Sequence, residues 1–254
     1  MLKKYFHTLA FFKIPSFVDK INTIISLLQA EFPGLEPKPS KADPLDILIA
    51  TMLSQNTTDK TSYIAFQNLK NNIGTWEEVL NAPISKIRNA VRVCGLTNQK
   101  SAAIKNLLKQ LKQKHGELSL KYLDKMSNDE VYKELLQYKG IGVKTISCML
   151  AFSLGRDVFP VDTHVHRIIN RLGIVKAVTP VKTFEQVKDK IPDGKKFLFH
   201  TLLIRFGRKI CRAQKPLCGK CRLYDVCEFS EKEKYAMLSS AEPVENNFII
   251  LEHV

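Results

Sequence analysis

Breaker residues divide the chain into many short amphipathic stretches, and the alternating Val, Ile and Thr runs that mark β-strands are few. The stretch DPLDILIATMLSQ begins with Asp43 as a predicted N-cap and Pro44 at the first helical position, followed by a nearly continuous apolar run. Such a run is typical of a buried helix. In SNDEVYKELLQY, Ser127 and Glu130 have the spacing of a capping box. These patterns predict an all-helical protein.

The apolar residues suffice for a large core but never form a long uninterrupted run. Of the 254 residues, 44% are hydrophobic and 25% are charged, and no apolar run reaches the ~18 residues needed to cross a bilayer. The opening MLKKYFHTLAFFKIP is interrupted by Lys13, and no small-residue cleavage site follows it. We therefore expect a globular protein with no membrane association and no secretory signal.

The formal net charge of +14 favours polyanionic partners, because basic side chains on one face displace counterions from a nucleic-acid backbone. A solvated, lysine-rich surface that serves solubility explains the same charge. Charge alone therefore leaves nucleic-acid binding and a solvated surface as equal alternatives.

The stretch YKGIGVKTISCM joins two predicted helices through a turn that contains Gly140 and Gly142. Glycines let backbone N–H groups approach a ligand, and the following helix begins with unpaired donors that suit a phosphate. Glycines in such a turn are more often structural, so a lone G-x-G pattern is weak evidence of anion binding. Lys144 follows the turn and is either a solvated lysine or, if partly desolvated, an amine nucleophile.

Asp162 lies eighteen residues after Lys144, in FPVDTHVHRIINRLG. Its position predicts the N-cap of a helix that ends before Gly173, and this structural role alone would explain the residue. The same carboxylate could also be held in a fixed orientation near a reacting centre. His164 and His166 have an i, i+2 spacing that points them apart on a helix, so we interpret them as surface, packing or DNA-contact residues.

Four of the six cysteines lie within seventeen residues, in the pattern C-x6-C-x2-C-x5-C. Four thiolates at one centre suit either tetrahedral zinc or an iron–sulfur cluster, and the spacing alone does not separate the two. Disulfides are the alternative, but the lack of a predicted secretory signal favours a metal centre. The isolated Cys94 and Cys148 are predicted to be buried structural thiols. The clustered residues are Cys211, Cys218, Cys221 and Cys227.

The motifs GIGVKT, VDTHVHR and CRAQKPLCGKCRLYDVC, in this order and at these separations, resemble those of endonuclease III, a family of the helix-hairpin-helix DNA glycosylase superfamily. The resemblance covers roughly Ile21 to Phe229 and includes LIATMLSQNTTD and CGLTNQKSAAI in the first half of the chain. The sequence departs from the family in two places. Members of the family commonly have LPG before the hairpin, whereas this chain has Tyr138, Lys139 and Gly140. In the first loop, Asn56 stands where the family usually has a glutamine.

The resemblance implies a chemical role for the residues around the hairpin. Lys144 matches the catalytic lysine of the family, and Asp162 matches its catalytic aspartate. Gly140 and Gly142 match the hairpin glycines whose backbone grips a DNA phosphate. The implied activity is that of a base-excision-repair DNA glycosylase with an associated apurinic/apyrimidinic lyase activity. Such an enzyme removes damaged pyrimidines, oxidised ones foremost, from duplex DNA through a lysine Schiff base.

The resemblance also implies a cofactor and further DNA contacts. The four clustered cysteines match the ligands of a [4Fe–4S] cluster, which in the family supports a basic DNA-contacting loop. That loop is RAQKPL, with Arg212 and Lys215 as its basic residues. In the family, a side chain from each of two other loops fills the gap left when the damaged nucleotide turns out of the helix. Asn56 and Leu96 stand at those places.

The implied fold is all-α, with two helical domains and a DNA cleft between them. Residues 38–155 would form a helical barrel that carries the helix-hairpin-helix motif. Residues 16–37 and 156–230 would form a discontinuous iron–sulfur cluster domain. The C-terminal tail, residues 231–254, begins with the charge run EKEK and receives no assignment.

Two other functions compete with this prediction. An adenine DNA glycosylase of the same superfamily is disfavoured, because Ala50 stands where those enzymes carry a glutamate and they lack the lysine that Lys144 supplies. A non-catalytic, metal-containing DNA-binding protein would need neither Lys144 nor Asp162. The expected partner is double-stranded DNA with a damaged base or abasic site. We expect a monomer in the cytoplasm with the nucleoid, or in the nucleus of a eukaryote.

Overall fold

The computed structural model describes residues 16–238 and 248–254, and within these ranges the protein is helical and contains no β-strand. The predicted all-α class is confirmed. The first fifteen residues, for which we expected no secretory signal, lie outside the described residues. The α-helices are α1 (Phe17–Glu31), α2 (Pro44–Leu53), α3 (Asp59–Asn72), α4 (Trp76–Asn81), α5 (Ile84–Ala90), α6 (Thr97–His115), α7 (Asn128–Leu135), α8 (Val143–Cys148), α9 (Thr163–Arg171), α10 (Pro180–Val187), α11 (Lys196–Lys209) and α12 (Lys232–Leu238).

Helix α2 lies at the centre of the apolar core. Asp43 caps it as predicted, since its Oδ1 accepts a hydrogen bond from the Leu45 N–H at 2.9 Å, and Pro44 occupies the first helical position. All of its residues except Asp46 are buried. It packs against α3, α6 and α8. Because α2 is enclosed by these helices, it fixes the loop at its C-terminal end relative to the start of α8.

The predicted helix-turn-helix around the two glycines is confirmed, with one difference in the second helix. Helix α7 begins with the capping box of Ser127 and Glu130. Helix α8 is only six residues long and continues as a π-helix over Met149–Ser153 before Gly155, which has a φ of +62°. The π-helical turn packs against α2. The sequence predicted one continuous helix here, because the apolar pattern does not distinguish hydrogen bonds to residue i−4 from those to residue i−5.

Helices α9 and α11 pack against each other, and α11 also packs against α1. Buried side chains from residues 16–37, 38–155 and 156–230 belong to one continuous apolar core. The division of these ranges into two domains therefore stays a prediction. None of the helices in the described ranges has the length and apolar character that a membrane span requires.

The C-terminal tail, to which the sequence assigned no structure, has two ordered parts. Helix α12 packs against the 3₁₀ turn Cys218–Lys220. The last seven residues, 248–254, lie against α2 and α3, and Ile249, Ile250 and Leu251 are buried in the core. Residues 239–247 between these parts lie outside the described residues.

Candidate functional site

A cleft of about 1290 Å³ brings together Lys144, Asp162, Asn56 and Arg212, four of the residues singled out from the sequence. Its volume is sufficient for a group the size of a nucleotide. The walls come from the loop after α2, the first turns of α3, α8 and α9, and the C-terminal end of α11. Lining residues that the sequence did not single out include Asp59, Lys60, Tyr63, Arg167, Arg208 and Phe248.

Lys144 is the second residue of α8 and is half-buried. The turn before it requires glycine at one position, since Gly140 has a φ of +91°. Gly142 has an extended backbone and is the N-cap of α8, but no side chain caps this helix. The first N–H groups of α8 therefore have no capping acceptor from a side chain and stand next to an amine on the same turn.

Asp162 caps α9 as predicted, because its Oδ1 accepts a hydrogen bond from the Val165 N–H at 2.8 Å. Burial would raise the pKa of this carboxyl, but the neighbouring His164 and His200, the Val165 N–H and Lys144 outweigh it, and the pKa lies below its usual value. Asp162 is therefore an ionised carboxylate at neutral pH, and Lys144 is close enough to contribute to its electrostatic environment.

Two buried neutral groups lie near this pair. His200 donates from Nδ1 to the Pro160 carbonyl at 2.8 Å, and burial lowers its pKa to about 4. Cys148 was predicted to be a buried structural thiol; it is buried, and burial raises its pKa, so the thiol is protonated at neutral pH. Asp162 and Lys144 act on the pKa of both groups. The sequence did not indicate a role for His200, because its helix has the apolar pattern of an ordinary core helix.

The two histidines that the sequence analysis singled out, His164 and His166, are placed differently. His164 lines the cleft, and its Nδ1 lies 3.2 Å from Nη2 of Arg167. His166 packs away from the cleft, with its Nδ1 2.7 Å from Oγ1 of Thr183 at the contact between α9 and α10. The i, i+2 spacing thus points the two rings apart, as predicted, and only His164 belongs to the site.

The two loops predicted to fill a gap in DNA both carry a residue in the left-handed region of φ. Asn56 has a φ of 52° and Leu96 a φ of 47°. Asparagine tolerates this conformation, whereas for leucine it costs about 1–2 kcal/mol. Leu96 is nonetheless 44% exposed. A strained backbone that presents an apolar side chain to solvent is typical of a functional loop.

Lys100 is hydrogen-bonded to the backbone next to both of these loops. It is 6% exposed, and its Nζ donates to the carbonyl oxygens of Leu53 and Cys94, both at 2.8 Å. Leu53 is the last residue of α2 before the loop of Asn56, and Cys94 lies two residues before Leu96. One buried ammonium therefore fixes the spacing of both loops. The sequence gave no sign of this role, since Lys100 is one of 39 basic residues.

The first loop also contacts the hairpin. Nε2 of Gln55 donates to the Gly140 carbonyl at 3.3 Å. Gln55, Leu96 and Gly140 line a second pocket, and Gln55 lines the main cleft as well. Of the predicted DNA-contact residues, Asn56 and Arg212 line the cleft and Leu96 and Gly140 line the second pocket, whereas Gly142 and Lys215 line neither of the two.

The four clustered cysteines line a single pocket next to α9 and α11, together with Ile168, Arg171 and Phe206. The structure therefore places these four residues around one pocket, and their ligation of one metal centre stays a prediction. Burial raises the pKa of Cys221 to about 12, and the pKa values of Cys218 and Cys227 are also raised, by burial and by the other cysteines nearby. Within residues 16–238 and 248–254, no group of three or more His, Cys, Asp or Glu side chains is arranged to hold one metal ion.

Arg171 ties the cysteine loop to α9. Its Nη1 donates to the Arg212 carbonyl at 2.8 Å and to Sγ of Cys211 at 3.3 Å. Arg212 lines the cleft, and its Nη2 is a buried atom without a hydrogen-bond partner among the described residues. Lys215 is exposed on the same loop, has a φ of 49° and does not line the cleft.

Comparison with known proteins agrees with this geometry. The family model of the HhH-GPD superfamily base excision DNA repair proteins matches residues 49–193. Endonuclease III of Sulfolobus acidocaldarius is 35% identical over 185 residues, which are 72% of this chain and 80% of that protein. An Arabidopsis thaliana protein named as a candidate DNA glycosylase is 46% identical over 177 residues, 69% of this chain. The chain spans 60% of this plant protein's length.

A solved structure extends the similarity to the fold. It is a trapped covalent intermediate of endonuclease III with DNA, an estranged-adenine complex. It superposes on this chain with a TM-score of 0.71 and 26% sequence identity, and the match covers 85% of this chain and 96% of that chain. The helical arrangement around the cleft is therefore that of an endonuclease III.

Proposed function

Because the chain belongs to the endonuclease III family within the HhH-GPD superfamily of base excision DNA repair proteins, we propose that it is a DNA glycosylase with apurinic/apyrimidinic lyase activity. Its substrate is duplex DNA that carries a damaged pyrimidine, an oxidised one foremost, or an abasic site. The observation that carries the proposal is that Lys144 and Asp162 line one cleft. The covalent intermediate trapped in endonuclease III supports a covalent mechanism.

The glycosylase step begins when the damaged nucleotide turns out of the duplex into the cleft, at a cost of a few kcal/mol that a damaged pair lowers. The free amine of Lys144 attacks C1′ of the sugar and loses a proton. The bond between C1′ and the base breaks, and the base leaves with the electron pair and takes up a proton. The ionised Asp162 stabilises the positive charge that develops on the sugar.

The lyase step follows from the bond that Lys144 has formed. Opening of the sugar ring gives a Schiff base between Nζ and C1′, which acidifies the C2′ protons. Loss of one of these protons expels the 3′ phosphate with its electron pair and breaks the strand. Water then hydrolyses the imine and frees the lysine. One chain supplies every residue of this sequence of steps, which is consistent with the monomer that we propose.

Backbone and side-chain donors near the cleft provide the phosphate contacts. The N–H groups at the start of α8, next to Gly140 and Gly142, have no side-chain cap and suit a phosphate oxygen. Nη2 of Arg212 is a buried donor without a partner among the described residues, and a guanidinium suits the same ligand. The net charge of +14 adds a general attraction to DNA. Asn56 and Leu96 then fill the gap that the extruded nucleotide leaves.

The four cysteines that line one pocket are the ligands that we propose for a [4Fe–4S] cluster: Cys211, Cys218, Cys221 and Cys227. The residues fit such a group, because the structure gathers four thiols of which Cys211 and Cys227 each contact Arg171. A cluster takes one thiolate for each iron and so spreads its ligands further apart than a single ion does. When bound, it would hold the basic loop of Arg212 and Lys215 in place.

The test of the proposal is borohydride trapping on a duplex oligonucleotide with one oxidised pyrimidine. Borohydride reduces an imine, so the wild-type protein is expected to become covalently joined to the DNA. In Lys144→Gln the side chain keeps a similar length but lacks the amine, and both trapping and strand cleavage are expected to vanish while DNA binding largely survives.

Lys60→Gln is the matched control, because Lys60 is an exposed lysine that lines the same cleft. This variant is expected to form the covalent adduct at the wild-type rate. A borohydride-stable adduct in Lys144→Gln, with loss of the adduct in Lys60→Gln, would move the nucleophile to Lys60 and refute the mechanism proposed for Lys144.

A further inference from the structure

The last seven residues of the chain, 248–254, form part of the cleft wall. We call them the C-terminal segment. They lie outside residues 49–193, which the family model matches. Ile249, Ile250 and Leu251 anchor the segment in the core, with exposures of 5% or less. Phe248, the first residue of the segment, is left at the cleft and lines it together with Tyr63 of α3.

Polar contacts fix the segment to the same arginine that borders the catalytic residues. Arg208 donates from Nη1 to the Phe248 carbonyl and from Nη2 to Oδ2 of Asp59, the latter at 2.8 Å. The Ile250 N–H donates to the same Asp59 oxygen at 3.2 Å. Arg208 acts on the pKa of both His164 and His200, the two histidines that act on Asp162. The segment is therefore connected to the catalytic centre through one side chain.

Three rings form an aromatic wall at this side of the cleft. The rings of Tyr63 and Phe248 meet edge to face with centroids 5.4 Å apart. His253 stacks on Phe248, with centroids 4.5 Å apart and an interplanar angle of 5°. The ring of Phe248 therefore packs against both Tyr63 and His253.

Different walls of the cleft carry side chains that suit different parts of a nucleotide. Lys144 and Asp162 suit the sugar, and the Arg212 guanidinium, whose buried Nη2 has no hydrogen-bond partner among the described residues, suits a phosphate. An extruded base loses its stacking partners in the duplex and is stabilised by aromatic or apolar side chains in their place. Tyr63 and Phe248 supply the phenyl rings of the lining, whereas the imidazole of His164 interacts with Asp162.

We propose that the C-terminal segment completes the base-binding side of the cleft, and that Phe248, with Tyr63, contacts the extruded base and so contributes to lesion choice. This inference rests on the glycosylase function proposed above. It makes the last residues of the chain part of the substrate site rather than a tail, and it assigns the base, not the sugar or phosphate, to the wall they form.

The two steps of the proposed reaction give the test its internal control. Base release needs the base pocket, whereas strand cleavage at an abasic site needs Lys144 but has no base to bind. We would measure single-turnover base release from a duplex with one 5-hydroxyuracil, and strand cleavage of the same duplex with one abasic site. Phe248→Ala is expected to slow base release roughly ten-fold and to leave abasic-site cleavage within about two-fold of wild type.

Two further variants separate contact with the base from simple stability. Val254→Ala changes the other end of the C-terminal segment, away from the cleft lining, and is expected to leave both rates unchanged. Phe248→Leu keeps an apolar side chain if Phe248→Ala fails to fold, and it is expected to slow base release alone. Unchanged base release in Phe248→Leu, or an equal loss of both activities, overturns the inference. Absence of both activities in the wild type would instead refute the proposed function.

Discussion

The two ends of α9 serve regions that are held together in different ways. At the N-terminal end, Asp162 caps the helix and its charge is set by neighbours that the chain itself supplies. At the C-terminal end, about 14 Å away by helical rise, Arg171 reaches the cysteine loop through the Arg212 carbonyl and the sulfur of Cys211. The four thiols there line one pocket, and burial raises the pKa values of Cys218, Cys221 and Cys227. The cleft is thus formed by polypeptide side chains alone, whereas for the cysteine pocket we propose an added group.

The largest expected effect lies in the cysteine pocket. If the four cysteines hold [4Fe–4S], the purified protein contains about four irons per chain and absorbs broadly near ~400 nm. Cys221→Ser is expected to remove this absorbance, lower the thermal unfolding midpoint and weaken DNA binding, because the basic loop loses its support. Cys94→Ser, at a buried thiol outside the pocket, is the matched control and keeps the iron. One zinc per chain without sulfide would contradict the cluster.

At the other end of α9 the structure predicts a large loss of rate with the helix cap retained. Asn caps a helix about as well as Asp, so Asp162→Asn preserves the start of α9 but removes the charge near the developing cation. Base release is expected to fall by about 10²-fold, and the free energy of unfolding at pH 7 is expected to fall only by what the charge contributes. Asp162→Ala removes cap and charge together and is expected to be about 1 kcal/mol less stable than Asp162→Asn. Equal rates in Asp162→Asn and wild type would remove the carboxylate from the mechanism.

The lowered pKa of Asp162 predicts how the difference in unfolding free energy between wild type and Asp162→Asn changes at acid pH. Because the folded pKa lies below the usual value of 3.8, the ionised carboxylate stabilises the fold above that value. This contribution is lost as the pH falls through the depressed folded pKa. Asp162→Asn lacks it, so the unfolding free energies of variant and wild type, measured by denaturant titration, are expected to converge as the pH falls. A constant difference across the acid range would show that the charge of Asp162 does not contribute to stability.

The sequence predicted best where the cause of a structure lies within a few residues. The caps by Asp43, Ser127 and Asp162 follow from side chains that bond the next turn, and the cysteine pocket follows from four residues close in the chain. The wall of the cleft could not be predicted in this way. Ile250 contacts Asp59 across 191 residues, and an apolar stretch at the end of a chain does not indicate which helix it covers.

Lys100 was missed for the same reason, since its two partners are backbone carbonyls that leave no pattern in the sequence. Lys100→Met keeps the length of the side chain but leaves the Leu53 and Cys94 carbonyls without their donor. We expect a loss of roughly 2 kcal/mol in unfolding free energy, measured by denaturant titration. The two loops then lose their fixed spacing.

Comparing base release from duplex and from single-stranded DNA separates an effect on the two loops from an effect on stability. Filling a gap matters only in duplex DNA, so Lys100→Met is expected to slow base release from a duplex more than from the same lesion in a single strand. Leu96→Ala, which removes an exposed side chain, should show the same selectivity with little change in stability. Equal slowing on both substrates would make Lys100 a structural residue only.

The smallest expected effect is at the exposed tip of the cysteine loop. Lys215 does not line the cleft, so it can contribute to DNA binding only as one charge near the phosphates. Lys215→Ala is expected to weaken binding to all sequences alike and to lower the slope of log K against log salt by about one. Alanine meets the same left-handed backbone, with φ at 49°, as the lysine it replaces, so the loop itself should be little disturbed. Lys109→Ala, on the exposed face of α6, removes an equal charge away from the cysteine loop and should leave the slope unchanged. If both variants keep the wild-type slope, the cysteine loop supports the fold but does not touch DNA through Lys215, and the two ends of α9 would then differ in function as well as in construction.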